Sequence, residues 1–478
     1  MSRNGGLSHP TGQPVGSQGS AVVPKQRVEK SLDRKLAEIR ANPSTRTFIL
    51  ADAKDADMAF GIRATGPRYY LSSAGPRPAQ FSPEVWTREE FGYRNLPEFL
   101  DIIREIVRQE VVDIMLMSPS VNEQLTIKEG LFRNSPVTPA ARANDTTDIW
   151  VIRHGRYTQE PARPFRTTTI DHIQCGRVEC DLSEGEIPGA NLGLYSITFL
   201  NDPERDLQTL QAFKEFRLEA ERKGFRYFLE VFDPNVDSGV PPEKLGEFIN
   251  DHIVRSLAGV TEAGRPLFLK IVYHGPRFME ELVQYDPNLI VGILGGSAGT
   301  TYDAFKLLHD AQKYGARVAL FGRKINHAEH QLAFIEMLRL ITDGRITPEE
   351  AVRAYHAILE KLGIQPRRSL EEDLQLTDPV LRQDLERKRS SIVHFGGTAP
   401  ASSTNRISYR STRSSYAAGG SPSSSTEVLA SSSNTGEAPS EEGAGDWPRR
   451  PDGSPDFARM TPEQRLAYHL DRIRRISG

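Results

Sequence analysis

Short apolar runs alternate with amphipathic stretches along most of the chain. The runs are β-branched or aromatic and bounded by turn residues, which predicts strands. They are residues 47–52 (TFILAD), 111–118 (VVDIMLMS), 148–154 (DIWVIRH), 194–200 (LYSITFL), 227–232 (YFLEVF), 267–273 (LFLKIVY), 289–294 (LIVGIL) and 318–321 (VALF). Helical spacing of apolar positions fills residues 96–110, 121–130, 203–223, 242–262, 276–284, 301–314 and 327–342. Eight strands alternating with helices predict an α/β fold, a (β/α)8 TIM barrel. An open doubly wound sheet uses the same units. The third-to-fourth connection, residues 155–191, is polar and shows no clear helix. Residues 63–95, 155–191 and two helical patterns at 348–362 and 379–389 are surplus to a minimal barrel.

The ends follow neither period. Residues 1–26 are rich in Gly, Ser and Pro and predict a disordered arm without the apolar core of a secretory signal. Residues 27–396 hold the barrel and its helical extension. Residues 397–456 are a Ser/Gly/Pro-rich linker by composition. Residues 457–478 end in one short amphipathic helix, with the capping box TPEQ at 461–464 followed by Leu466, Leu470, Ile473 and Ile476. Such a helix on a long tether reads either as a docking peptide for a protein partner or as a frayed tail. These polar ends dilute the hydrophobic content of the 478 residues to 38%.

A net charge of −3 argues against a nucleic-acid coat. No apolar run reaches the roughly 20 residues of a membrane helix. Cys175 and Cys180 are too few for a disulfide framework and suit a reducing cytoplasm. The histidines are scattered and there is no CxxC pair, so no metal and no cofactor is expected.

Barrel chemistry sits at the C-terminal ends of the strands, so ionisable residues inside apolar strands are the candidates. Lys270 is the single charge in LFLKIVY and shares a face with Phe268 and Val272. A lysine there is either a Schiff-base nucleophile or half of a structural ion pair. Glu230 shares a face with Phe228 and Phe232 on the preceding strand. It is either a static partner or an acid/base group. Asp52 ends the first strand, where an acid often only caps the next helix. Gly295, Gly296 and Ser297 follow the seventh strand, and Gly322 and Arg323 follow the eighth. Those two loops form the usual phosphate site of this barrel. A dinucleotide fingerprint would open the first βαβ unit and be followed by an acid at the next strand end, which here reads Gly322-Arg323.

Residues 225–344 resemble the DhnA-type class I aldolases, which include archaeal-type fructose-bisphosphate aldolase and tagatose-bisphosphate aldolase. The resemblance is carried by FLEVF (228–232), FLKIVYHG (268–275), GILGGSAG (292–299) and VALFGRKI (318–325). It implies that Lys270 is the Schiff-base lysine, Glu230 the acid/base residue and Asp52 the first-strand aspartate. It also implies that Gly295–Ser297 and Gly322-Arg323 grip a phosphate. The first-strand motif reads ADAKDAD, which leaves Asp55 and Asp57 open for the role given to Asp52. The implied activity is a metal-independent lyase making or breaking a carbon–carbon bond in a phosphorylated ketose or related keto compound, in a homo-oligomer. A non-catalytic barrel that binds a ligand or a partner is the alternative.

Overall fold

The computed structural model describes residues 28–67, 93–180, 185–296 and 299–382, with 448, 449, 459 and 464 besides. Eight strands form a closed barrel: β1 (Ile49–Lys54), β2 (Ile114–Met117), β3 (Thr138–Arg142), β4 (Leu192–Thr198), β5 (Arg226–Phe232), β6 (Leu269–Ile271), β7 (Val291–Leu294) and β8 (Val318–Phe321). Each strand pairs in parallel with the next, and β8 closes on β1. The fold is therefore the (β/α)8 barrel that the alternation predicts.

The strands are buried on both faces, which is why they read as unbroken apolar runs. Ile49, Ala51, Ile114, Leu116, Leu192, Leu194, Phe228, Phe268, Val318 and Leu320 fill the interior as one cluster. Their neighbours Leu50, Met115, Tyr195, Leu229, Leu269 and Ala319 turn outward and pack in the larger cluster with the surrounding helices. Alternation thus sorts each strand into an inner and an outer set.

A helix before the barrel, α1 (Ser31–Ala41), buries Leu32, Leu36 and Ile39 in the interior cluster. Its polar residues hold the N-terminal ends of the strands. Lys30 donates to the carbonyls of Phe132, Ser135 and Val137 just ahead of β3. Lys35 donates to the Phe48 carbonyl and to Asp113. This end of the barrel is plugged, so ligand access is left to the opposite, C-terminal mouth.

Two expectations are corrected. The third strand is not at residues 148–154 but at Thr138–Arg142. Its sequence, TPAAR, has small side chains and a proline in place of branched apolar residues. Small residues suffice there because β3 lies between β2 and β4 with its alanines fully buried. Residues 148–154 instead run through a single 3-10 turn, Thr147–Ile149, pinned over the mouth: Val151 N–H donates to the Ala59 carbonyl, and the Trp150 ring packs edge-on against Tyr157 and Phe165. The cysteines are the second correction. Cys175 and Cys180 are joined in a disulfide that closes the turn after the helix Ile170–Cys175. One local bridge is not a framework, as the count of two cysteines implies, but the pairing itself was not read from the sequence. The β3–β4 connection otherwise has little regular structure, as its polar sequence predicts. The arm at 1–26, almost all of the linker at 397–456 and almost all of the helix expected within 457–478 lie outside the described residues.

Candidate active site

Glu230 and Lys270 are paired residues of β5 and β6. Both point inward, one step above Phe228 and Phe268, whose rings stack at 4.7 Å. The Lys270 ammonium contacts Glu230 Oε1 directly. Glu230 is 1% exposed and Lys270 7%, so this pair is removed from bulk water.

Four more residues complete the layer. Ser196 on β4, the register partner of Glu230, donates its hydroxyl to Glu230 Oε2 at 2.7 Å. Arg142, at the end of β3, places Nη2 3.5 Å from the same oxygen and donates Nη1 to Ser196 Oγ at 3.1 Å. Its Nε donates to Asp55 at 2.6 Å. Asn144 fixes Ser196 by accepting from its N–H at 2.7 Å and donating to its carbonyl at 2.8 Å. Charges therefore alternate in sequence: Asp55, Arg142, Glu230, Lys270. Burial works against the Arg142 charge, but Asp55 and Glu230 outweigh it and hold the guanidinium above its usual range.

Asp52 is placed elsewhere. It pairs with Phe321 and alternates with Ala51 and Ala53, which belong to the interior, so its side chain leaves the barrel on the helix side. There Lys54 Nζ donates to both of its oxygens, at 2.8 and 2.6 Å, with both side chains fully buried. Burial raises the Asp52 carboxyl and lowers the Lys54 amine, each opposed by the partner's charge. The structure brings Glu230 and Lys270 together and adds Asp55 through Arg142, while Asp52 pairs with Lys54 outside that layer.

The two glycine loops stand beside each other beyond β7 and β8. A Cβ on Gly295 would lie 2.1 Å from the Phe321 ring, and one on Gly322 3.0 Å from the Ala53 carbonyl, so both loops press close to their neighbours. Gly296 has φ +58°, a left-handed conformation that suits glycine. Ser297 lies outside the described residues. Lys324 ties the loops together by donating to the carbonyls of Gly299 and Thr300. Burial lowers its pKa to about 8. The Arg323 guanidinium stacks over Phe60 at 5.5 Å. Among the described residues no carboxylate lies within ion-pair distance of it. Burial pushes its pKa down, opposed by the charge of Glu230. An anion is the natural complement of such a group.

Arg142 and Ser196 were missed from the sequence. Ser196 is a polar residue inside the apolar run LGLYSIT, the same signal that singles out Lys270. Arg142 had no such signal, because its strand was not recognised. Among the described residues no three His, Cys, Asp or Glu side chains gather as a metal site, and no helix is long and apolar enough to cross a membrane.

Fold and site define a (β/α)8 barrel with an interior lysine–glutamate centre at its open mouth. No family model and no curated protein matches the chain. Among solved structures it is similar to an archaeal fructose 1,6-bisphosphate aldolase, at 13% identity and TM-score 0.43 over 65% of this chain and 99% of that one. It is similar to an archaeal fructose-1,6-bisphosphate aldolase with the catalytic lysine covalently bound to the carbinolamine intermediate, at 15% identity and TM-score 0.44 over 65% and 99%. It is also similar to fructose-bisphosphate aldolase from Slackia heliotrinireducens, at 12% identity and TM-score 0.46 over 71% and 94%. Likeness at this distance does not assign chemistry to residues, which must rest on the site itself.

Proposed function

We propose that the chain is a class I, Schiff-base-forming aldolase-type lyase acting on a phosphorylated ketose or related keto compound. The observation that carries this reading is the contact of Lys270 with Glu230, in register on adjacent strands inside the barrel. A proton passed from Lys270 to Glu230 leaves a neutral amine, which attacks the carbonyl carbon. Glu230 returns the proton to the carbinolamine hydroxyl, and water leaves to give the iminium. The cationic nitrogen then accepts the electron pair as the carbon–carbon bond breaks, and Glu230 takes the proton of the departing hydroxyl. Ser196 and Arg142 hold Glu230 in place, and Asp55 holds Arg142. Gly295, Gly296, Gly322 and Arg323, with Ser297, hold the phosphate and so orient the carbonyl towards Lys270. Asp52, engaged by Lys54, has no step in this scheme.

The test is incubation with fructose 1,6-bisphosphate or dihydroxyacetone phosphate, followed by borohydride and peptide mass spectrometry. The expected result is a reduced adduct on Lys270 that is absent from Lys270→Met. A broader panel of ketose phosphates that leaves Lys270 unmodified throughout would show the pair to be structural.

A further inference from the structure

We propose that Asp148 is a second catalytic acid of this site, protonating the enamine carbon after bond cleavage. The inference rests on the Schiff-base reading of Lys270. Its structural basis is the turn at Thr147–Ile149, which the connection between β3 and β4 lays over the mouth. Asp148 Oδ2 accepts a 2.8 Å hydrogen bond from Thr198 Oγ1. Thr198 is two residues beyond Ser196 on β4 and so shares its inner face. Ser196 pairs with Glu230, and Thr198 with Phe232, the residue two beyond Glu230 on β5. Two residues of strand rise are about 7 Å. Asp148 is thus tethered one step of the pleat towards the mouth from Glu230, a spacing that admits a substrate carbon chain between the two carboxyls.

The second Asp148 oxygen, Oδ1, is buried and makes no hydrogen bond of good geometry among the described residues, although the Thr146 hydroxyl, itself without such a bond, acts on the same carboxyl. A buried polar atom left open in this way is costly unless something completes it. Burial raises the Asp148 carboxyl above the usual range, the Thr146 and Thr198 hydroxyls and its own backbone N–H oppose this, and the Glu230 charge adds to the rise. The two carboxyls in this mouth differ in their surroundings: Glu230 faces the cations Arg142 and Lys270, whereas Asp148 is held by the Thr198 hydroxyl.

The proton count closes. When the carbon–carbon bond breaks, Glu230 holds the hydroxyl proton and Lys270 carries a neutral enamine. Asp148 gives its proton to the enamine carbon; the new C–H bond uses the enamine electron pair, and the nitrogen lone pair closes to an iminium. Water adds to the iminium carbon and gives a proton to the Asp148 carboxylate, which restores the acid. Glu230 then relays the carbinolamine hydroxyl proton to nitrogen, which releases the ketone and leaves the Lys270–Glu230 pair sharing one proton as at the start.

The test uses the full chain and dihydroxyacetone phosphate. By reversibility, Asp148 removes a proton from the carbon next to the iminium, so the wild type exchanges that position with D2O, as read by NMR. Asp148→Asn keeps the side-chain volume and the Thr198 hydrogen bond. It is expected to slow exchange by about 100-fold or more while borohydride still traps the adduct on Lys270. Exchange in Asp148→Asn within about twofold of wild type, with the adduct formed, overturns the proposal. If Asp148→Asn forms no adduct, Thr198→Val decides: it leaves the carboxyl but frees it, and is expected to slow exchange by about tenfold with the adduct intact. Wild-type exchange in Thr198→Val then overturns the proposal. A wild-type protein that forms no adduct at all refutes the Schiff-base reading and this inference with it.

Discussion

Asp55 accepts a 2.6 Å hydrogen bond from the Nε of Arg142, and this bond links β1 to the layer that holds Lys270. The aspartate within β1 itself, Asp52, faces the other way and binds Lys54. The two acids therefore part company under mutation. Asp55→Asn keeps an acceptor for Arg142 Nε but removes the charge that strengthens the bond, at up to about 1.5–3 kcal/mol, or roughly 10- to 100-fold in turnover. Its melting temperature changes less than that of Asp52→Asn. Asp52→Asn leaves the buried Lys54 without its counter-charge, at about 3–5 kcal/mol of stability, and still forms the Lys270 adduct. Adduct yield and thermal melts on both variants check the assignment. The reverse pattern would return the catalytic role to Asp52.

This contrast also shows what the sequence could carry. The charges of Lys270 and Glu230 stand out because every neighbour on their strands is apolar and both faces of those strands are buried. On β1 the same double burial hides the face: ILADAK reads alike from either side, and only the register with β8 shows that Ala51 and Ala53 line the interior. β3 was invisible because TPAAR has no branched apolar side chain, and Arg142 went with it. The run DIWVIRH has strand composition, yet its Trp150 is spent on Tyr157 and Phe165 over the mouth. Local propensity yields there to tertiary packing.

His327 follows the phosphate-like loop of β8 and titrates low. Burial lowers its pKa to about 4, and Arg323, Arg94, Lys324 and Lys54 add to the effect. The residue is nevertheless exposed to solvent, so water screens part of the shift. The sign follows from linkage. Between pH 6.5 and about 4 the unfolded chain takes up a proton that folded His327 refuses. Its contribution to stability is complete above pH 6.5 and is lost as the pH falls towards 4. Urea melts at pH 7 and pH 5 should show wild type losing more stability than His327→Gln. Equal losses in both would place the ring outside the cationic cluster.

Gly295 and Gly296 separate two reasons for glycine in one loop. Alanine at 295 drives a methyl into the Phe321 ring, 2.1 Å away. That overpacking costs about 1–3 kcal/mol. Alanine at 296 meets no atom within 4 Å, and its cost comes from φ +58° alone, about 1–2 kcal/mol. Gly295→Ala must displace β8 at Phe321, the residue two before Arg323, so it should also weaken inorganic phosphate binding. Gly296→Ala should lose stability with less effect on phosphate affinity. Thermal melts paired with phosphate titration by calorimetry check both, and identical affinities in the two variants would remove Gly295 from the phosphate loop.

Leu36 tests whether the plug and the site are independent. It is 3% exposed and packs in the interior cluster with Phe228 and Phe268, the layer beneath Glu230 and Lys270. Leu36→Ala removes buried methyl groups and leaves a cavity, at about 2–5 kcal/mol. The hydrogen bonds that fix Glu230 come from Ser196 and Arg142, and neither belongs to α1. Stability should therefore fall while the rate of adduct formation at Lys270, measured well below the melting temperature, stays within about twofold of wild type. A rate that falls in step with stability would mean that the plug sets the height of the two phenylalanines, and through them the Lys270–Glu230 contact.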